Sequence, residues 1–249
     1  RLAKRRRKSP PAKKSRRKLV IGFQHRYEPK TKLIKDAVES GRMGKILYGR
    51  VHALRRRGIP SWGAFVYKEQ QGGGPLIDIG VHVLEMAHFA MGAPKPVAAT
   101  GSIFTYIGDK KTNVACSWPG WDHKGYTIED LAVGQIRFAN GAMLTVEASF
   151  AAHIDKDVWN FSLMGEKAGA NWDPPEIFSD DGGYMMNSQP NWLPSGAAAD
   201  HFGLKMRNFV EHALYDRPTM APAEDGLMVQ KMLDGIYASA EKGGEVRIR

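Results

Sequence analysis

The sequence predicts an α+β protein with antiparallel strand pairing, on three observations. Two runs that alternate in period 2, Leu131–Phe138 and Ala142–Phe150, flank Asn140-Gly141. Asn-Gly between such runs signals a tight hairpin, because both central residues take φ > 0 there. A second pair of runs, Val158–Met164 and Ala168–Trp172, flanks a Gly-Glu-Lys turn. The best helical periodicities stand apart from these hairpins, at Pro75–Met91 and near the end of the chain. Helices therefore do not alternate with strands as they do in a doubly wound sheet.

In chain order, residues 1–18 form a basic arm that precedes a body at 19–249. Like charges repel and Pro10-Pro11 interrupts any helix. The arm is either a flexible end or a nucleic-acid or nuclear-type patch. Leu19–Phe23 (LVIGF) is a short apolar run of buried-strand type. Thr31–Ser40 is helical, with Leu33, Ile34, Ala37 and Val38 on one face and Gly41 as its stop. Ile46–Arg56 has a strand pattern that puts Ile46, Tyr48, Arg50, His52 and Leu54 on one side of the pleat. Residues 57–74 are a long loop rich in glycine, aromatics and glutamine.

Pro75–Met91 follows as a helix. Ile79, Gly80, Val83, Ala87 and Ala90 fall in one apolar arc, and Asp78, His82, Glu85 and Phe89 form a stripe opposite. Gly92 and Pro94 end it. Val97–Ile107 reads as a strand before the two hairpins. Residues 173–196, with several prolines and Gly182-Gly183, read as loop. Helices at 198–215 and 223–242 and a short strand at 245–248 close the chain.

Composition narrows the functions. The 249 residues carry a formal net charge of +10, with 36 basic and 26 acidic residues. Eleven of the basic residues lie in the first 18, which leaves 25 basic against 26 acidic for the body. A nucleic-acid-binding domain needs its basic excess on the folded surface, so nucleic acid is not an expected partner. The single cysteine, Cys116, excludes an intrachain disulfide framework and a cysteine-based zinc site. No apolar run reaches the roughly 18–20 residues of a membrane span, and no secretory signal precedes the body, so a cytoplasmic location is expected.

The chemistry-bearing stretch is GGGPLIDIGVH, Gly72 to His82. Asp78 and His82 stand at i and i+4 and neighbour each other on a regular helix. A carboxylate beside an imidazole favours its protonated form and poises it near neutral pH. The glycine run would let the backbone approach a ligand closely. The alternative is an amphipathic helix whose polar face meets water. Glu85-x-x-His88 has the spacing of a di-iron half-site but occurs once, and no H-E-x-x-H is present, so no metal site is expected. Neither a G-x-G-x-x-G after a strand, nor a phosphate loop ending in G-K-[ST], nor G-x-S-x-G occurs.

LVIGFQHRYEP, a helix ending ESGRMGKIL, and then GGGPLIDIGVHVLEMAHFAMG resemble the glucose–fructose oxidoreductase / inositol dehydrogenase / MocA family. NFSLMGEKAGANW and EDGLMVQKMLDGIYASAEKGGEVRI resemble that family's hairpin and its closing helix and strand. The resemblance covers about residues 12–249 and implies an open, mainly antiparallel sheet with helices packed on one face. It places the chain on the C-terminal half of such enzymes, with residues 19–23 as the last strand of a dinucleotide-binding domain that is otherwise missing. The implied function is the substrate and oligomerisation domain of an NAD(P)-dependent oxidoreductase acting on a polyol, sugar or similar hydroxy compound. The chain is expected to be inactive alone and to bind neither NAD nor NADP tightly by itself. A homo-oligomer formed through the sheet face is also implied. By the same resemblance His82 is the proton acceptor, Asp78 orients it, and His25, Arg26, Arg57, Trp62 and His153 contact substrate. The second reading is a non-catalytic carbohydrate-binding or assembly domain.

Overall fold

The computed structural model describes residues 17–249. The expected basic arm lies outside the described residues, except for exposed Arg17 and Lys18. Nine strands form one sheet: β1 (Ile46–Leu54), β2 (Pro96–Phe104), β3 (Leu131–Phe138), β4 (Met143–Ser149), β5 (Val158–Gly165), β6 (Ala168–Asn171), β7 (Glu176–Asp181), β8 (Tyr184–Ser188) and β9 (Val246–Arg247). Their order is β8-β7-β6-β5-β1-β4-β3-β2-β9. Every pairing is antiparallel except β1 with β4.

The helices among the described residues are α1 (Pro29–Glu39), the single turn α2 (Lys68–Gln71), α3 (Val81–Ala90), α4 (His201–Tyr215) and α5 (Ala223–Lys242), of which α3 and α5 lie on the sheet. Of these, α3 packs on β1 and β5, α5 on β2 and β3, and α1 on α3. The face is set by residue size. Gly101 and Gly134 stand side by side in the β2/β3 ladder, and a Cβ at either would meet Ile236 of α5 at 2.6 and 2.8 Å. These two glycines let the closing helix sit directly on the strands. The sheet is otherwise open on the side that carries Tyr48, Phe104, Met164 and Phe178.

Four local expectations are corrected. Leu19–Phe23 is not a strand: Val20 makes one isolated bridge, to Pro222, and Ile21 N–H donates to Ala221 O. A strand needs a neighbouring strand, and none lies beside it among the described residues. Ile46 does not share a face with Tyr48, because a bulge between them shifts the pleat and turns Ile46 into the core. Only Gly141 takes a positive φ in the β3/β4 turn. Asn140 does not; its side-chain oxygen accepts from Ala142 N–H instead. Residues 173–196 are not all loop, since β7 and β8 form a hairpin around Gly182 and Gly183. All but the last residue of β8 are exposed, so it carries no alternation for a sequence reading to detect.

A buried ion cluster fastens the helical layer. The short 3₁₀ turn Gln24–Tyr27 places Arg26 fully inside. Its Nε donates to Glu85 Oε2 of α3 at 2.7 Å. One terminal nitrogen donates to Asp225 Oδ2 of α5 and to Met220 O, both at 2.6 Å. The guanidinium also lies over the rings of Phe23 and Phe89, at 4.8 and 4.5 Å. Burial pushes the Glu85 carboxyl up to about 7 against the pull of Arg26. Thus α3 is buried nearly all round, and Glu85, expected on a solvent-facing stripe, meets Arg26 instead. Removing one partner of a buried ion pair strands the other, at a cost of about 3–5 kcal/mol. Arg26→Met should destabilise the fold by that amount in urea unfolding at neutral pH, and adding Glu85→Gln should recover part of the loss.

Candidate active site

The site is built where the chain enters α3. Residues Leu76–Gly80 form a wide π-helical turn that runs into Val81. Such a turn holds more residues than an α turn, so α-helical spacing does not carry across it. Gly80 lets this segment press on the sheet, since a Cβ there would stand 2.9 Å from the Ala148 side chain on β4. The buried carboxylate of Glu129 accepts from Gly74 N–H at 3.0 Å, from Leu76 N–H at 3.4 Å and from Tyr237 O–H at 2.6 Å. An acid in that position satisfies the otherwise unpaired amides of a helix start.

The glycine run therefore does different work from that expected. A Cβ on Gly73 would lie 2.2 Å from Tyr237 Oη, and one on Gly74 would lie 2.5 Å from Glu129 O. The close approach is to the protein's own Glu129 and Tyr237.

His82 projects from the first turn of α3 into a cleft lined by His25 and Trp159. The ring centroids are 5.4 Å from His25 and 6.3 Å from Trp159. Its Nδ1 is enclosed and hydrogen-bonds to no protein group. Burial, reinforced by the neighbouring His25, lowers the pKa of His82 to about 4. The imidazole is thus neutral at physiological pH, not poised in the protonated form. Trp159 comes from β5, opposite Ala53 of β1.

Asp78 forms no hydrogen bond with His82. It lies in the π turn, where burial raises its pKa and the guanidinium of Arg55 draws it down. Arg55 stacks over Trp118 at 5.0 Å and Phe150 at 5.6 Å and donates to Gly58 O. Trp118 in turn meets Trp62 edge-on at 4.9 Å. Arg55, Trp118 and Trp62 thus form a chain of contacts, and Arg55 acts on Asp78 through its charge.

Of the five residues implied to touch substrate, His25 is in the His82 cleft and half-exposed Trp62 ends the aromatic chain. Arg26 is corrected: it is fully buried and offers a ligand no surface. Arg57 turns back on the chain, donating to Arg56 O and Ala152 O. His153 is exposed and lies 5.9 Å from the Tyr106 ring, with no ring contact to the His82 group. The sequence reading missed Arg55, Trp159, Glu28 and His201. Arg55 sits at the end of a strand and His201 at the start of a helix remote in sequence, so no local motif marks them. A separate depression of about 590 Å³, lined in part by Thr100, Gln135, Thr145 and Ser239, shares no residue with this cleft.

An open, mainly antiparallel sheet with helices packed on it defines the chain as an α+β domain. Residues 35–248 match the Gfo/Idh/MocA oxidoreductase family, C-terminal alpha/beta domain, and the chain belongs to it. It is 37% identical over 240 residues to D-glucoside 3-dehydrogenase of Escherichia coli, a match covering 95% of this chain and 66% of that protein. Over 161 residues it is 29% identical to levoglucosan dehydrogenase of Pseudarthrobacter phenanthrenivorans, covering 59% of this chain and 40% of the relative. Levoglucosan dehydrogenase in complex with NADH and levoglucosan has the same fold, with TM-score 0.76, 22% identity, and coverage of 93% of this chain and 66% of that one. Aldose-aldose oxidoreductase from Caulobacter crescentus, complexed with glycerol, matches with TM-score 0.75, 21% identity, and coverage of 94% and 65%. The chain spans about two thirds of these proteins' length. No helix among the described residues is long and apolar enough to cross a membrane.

Two measurements check this geometry. Folded His82 stays neutral down to about pH 4, whereas in the unfolded chain it protonates near 6.5. Between those values the unfolded chain binds the extra proton, so stability falls as pH drops from about 6.5 to about 4. The loss from this group is about 3 kcal/mol, and urea unfolding of His82→Gln should show an acid limb shallower by that amount. Gly74→Ala should cost at least about 1–3 kcal/mol through overpacking against Glu129. Unchanged stability with altered ligand affinity would instead make the glycine run a ligand cradle.

Proposed function

We propose that this chain is the substrate-binding and oligomerisation part of a nicotinamide-dependent oxidoreductase that oxidises a hydroxyl of a sugar, glycoside or polyol to a carbonyl. The observation that carries this reading is His82, a neutral imidazole at a helix entry in a cleft walled by Trp159 and His25. Family membership and likeness to D-glucoside 3-dehydrogenase support the sugar-like substrate. The complex of levoglucosan dehydrogenase with NADH supports NAD as the cofactor of the whole enzyme.

The described residues do not themselves fit a dinucleotide. Gly73 and Gly74 pack against Tyr237 and Glu129, and no other glycine-rich turn among the described residues joins a strand to a helix start. The chemistry assignable to this chain is therefore the proton's. Oxidation of a hydroxyl to a carbonyl removes a hydride from carbon and a proton from oxygen. His82, uncharged at neutral pH, accepts that proton. Its low basicity favours release of that proton to solvent. Asp78, facing Arg55 and not bonded to His82, accepts a hydrogen bond from a second hydroxyl and orients the ring to be oxidised. Trp159 supplies a flat apolar wall for the C–H face of a pyranose. The open sheet face, with Phe104, Met164 and Phe178 exposed, is the oligomer surface. Reliance on the cell's nicotinamide pool suits a cytoplasmic location, and the near-neutral charge of the body assigns nucleic acid no role.

The test uses the full-length enzyme, in which a dinucleotide-binding domain joins this chain, with glucosides as substrates. His82→Ala should lower kcat/KM by about 10²–10⁴, the usual worth of a general base, and Asp78→Asn should cost less. The acid limb of kcat/KM should fall well below pH 6.5, toward about 4. The present chain alone should produce no reduced nicotinamide. Unimpaired turnover by His82→Ala would leave the imidazole as a packing group. Turnover by the isolated chain would overturn its assignment as one part of the enzyme.

A further inference from the structure

Three side chains far apart in sequence converge beside His82. His25 belongs to the 3₁₀ turn, Glu28 follows that turn directly, and His201 opens α4. One ligand-capable atom from each lies within 4.8 Å of the other two, and all three residues are half-buried. The His201 ring stacks on that of His25, with centroids 5.6 Å apart and planes 28° from parallel. His25 Nδ1 and Glu28 Oε1 stand 2.5 Å apart. Neither ring nitrogen of His201 hydrogen-bonds to a protein group among the described residues. The His25–Glu28 pair is satisfied internally, but nothing internal accounts for the second imidazole brought against it.

The two elements are locked together, so the cluster is not a chance meeting of mobile side chains. Tyr27, next to His25, donates its hydroxyl to Asn208 of α4 at 2.7 Å. Asn208 also accepts from Met220 N–H at 3.0 Å. The side chain of Asp200 accepts from Gly203 N–H at 3.1 Å and so caps α4 one residue before His201. Arg26, between His25 and Tyr27, is the buried anchor described above. Ordering entropy is thus largely met by the fold before any ligand arrives.

We propose that His25, Glu28 and His201 form a binding site for a first-row divalent metal ion of the zinc class, within the His82 cleft. Two imidazoles and one carboxylate select zinc, cobalt or nickel over magnesium and calcium, which prefer all-oxygen shells. Three protein ligands leave a coordination position open, as in exchangeable zinc sites. Bound ligand atoms around such an ion lie roughly 3.3 Å apart, given metal–ligand bonds of about 2.0–2.1 Å. The ion would take the place of the hydrogen bond between His25 and Glu28. Its charge would then stand beside the His82 ring, 5.4 Å from that of His25, and oppose proton uptake there. Metal occupancy would therefore inhibit the proton acceptor proposed above, although binding itself requires no turnover.

The experiment is calorimetric titration of the full chain with Zn²⁺, and with Mg²⁺ as control. One Zn²⁺ per chain should bind and Mg²⁺ should not. His201→Ala and Glu28→Gln should each weaken Zn²⁺ at least tenfold, while His153→Ala leaves it unchanged. Against the chance that a variant misfolds, Co²⁺ is added to wild-type protein with ¹⁵N-labelled histidines. The ring signals of His25 and His201 should shift first, ahead of those of His123 and His153. Equal affinity in both variants, no Zn²⁺ binding, or cobalt shifts that begin at His123 or His153 would overturn the proposal.

Discussion

One buried guanidinium holds the helical layer of this protein in register. Arg26 reaches Glu85 on α3, Asp225 and the Met220 carbonyl at the entry to α5, and the faces of Phe23 and Phe89. Burying these charges is expensive, and their attraction offsets the cost only because the geometry is close. The cluster therefore adds little net stability and much definition. It fixes the 3₁₀ turn against α3, and His25, one residue earlier, is thereby set against His82. The residue that the family resemblance implied as a substrate contact is better described as the post on which the cleft hangs.

The same logic of close approach governs the entry to α3. Gly80 lets the π turn touch Ala148, Gly74 lets the backbone reach Glu129, and Gly73 makes room for the Tyr237 hydroxyl. With its amides satisfied from inside, the helix start has none to spare for a ligand. His82 emerges from this packed base into a cleft where burial and a second imidazole keep it uncharged. Asp78 has a separate environment, set by Arg55 and not by His82.

Much of the architecture was legible in the sequence, because hairpins and amphipathic helices write their periodicity locally. The β3/β4 and β5/β6 hairpins and the closing helix fall within a few residues of their expected bounds. Failures came where a long-range or irregular feature decided the outcome. The bulge at the start of β1 reversed the side of Ile46, and the exposed strand β8 had no buried face to advertise it. At the candidate site, His82 and His25, both implied by family likeness, do lie together. The expected Asp78–His82 pair was not realised, because a π turn intervenes where regular helix was assumed. Arg55, Trp159 and His201 arrive from three separate elements, and only the tertiary fold brings them near.

The proposed proton acceptor is an uncharged His82. Ring-nitrogen NMR of His82 in the folded chain, followed through an acid titration, tests this most directly. The neutral form should persist through pH 5 and the ring should titrate at about 4. A titration at or above 6.5, shifted further down by Asp78→Asn, would contradict it and restore a charged Asp78–His82 pair.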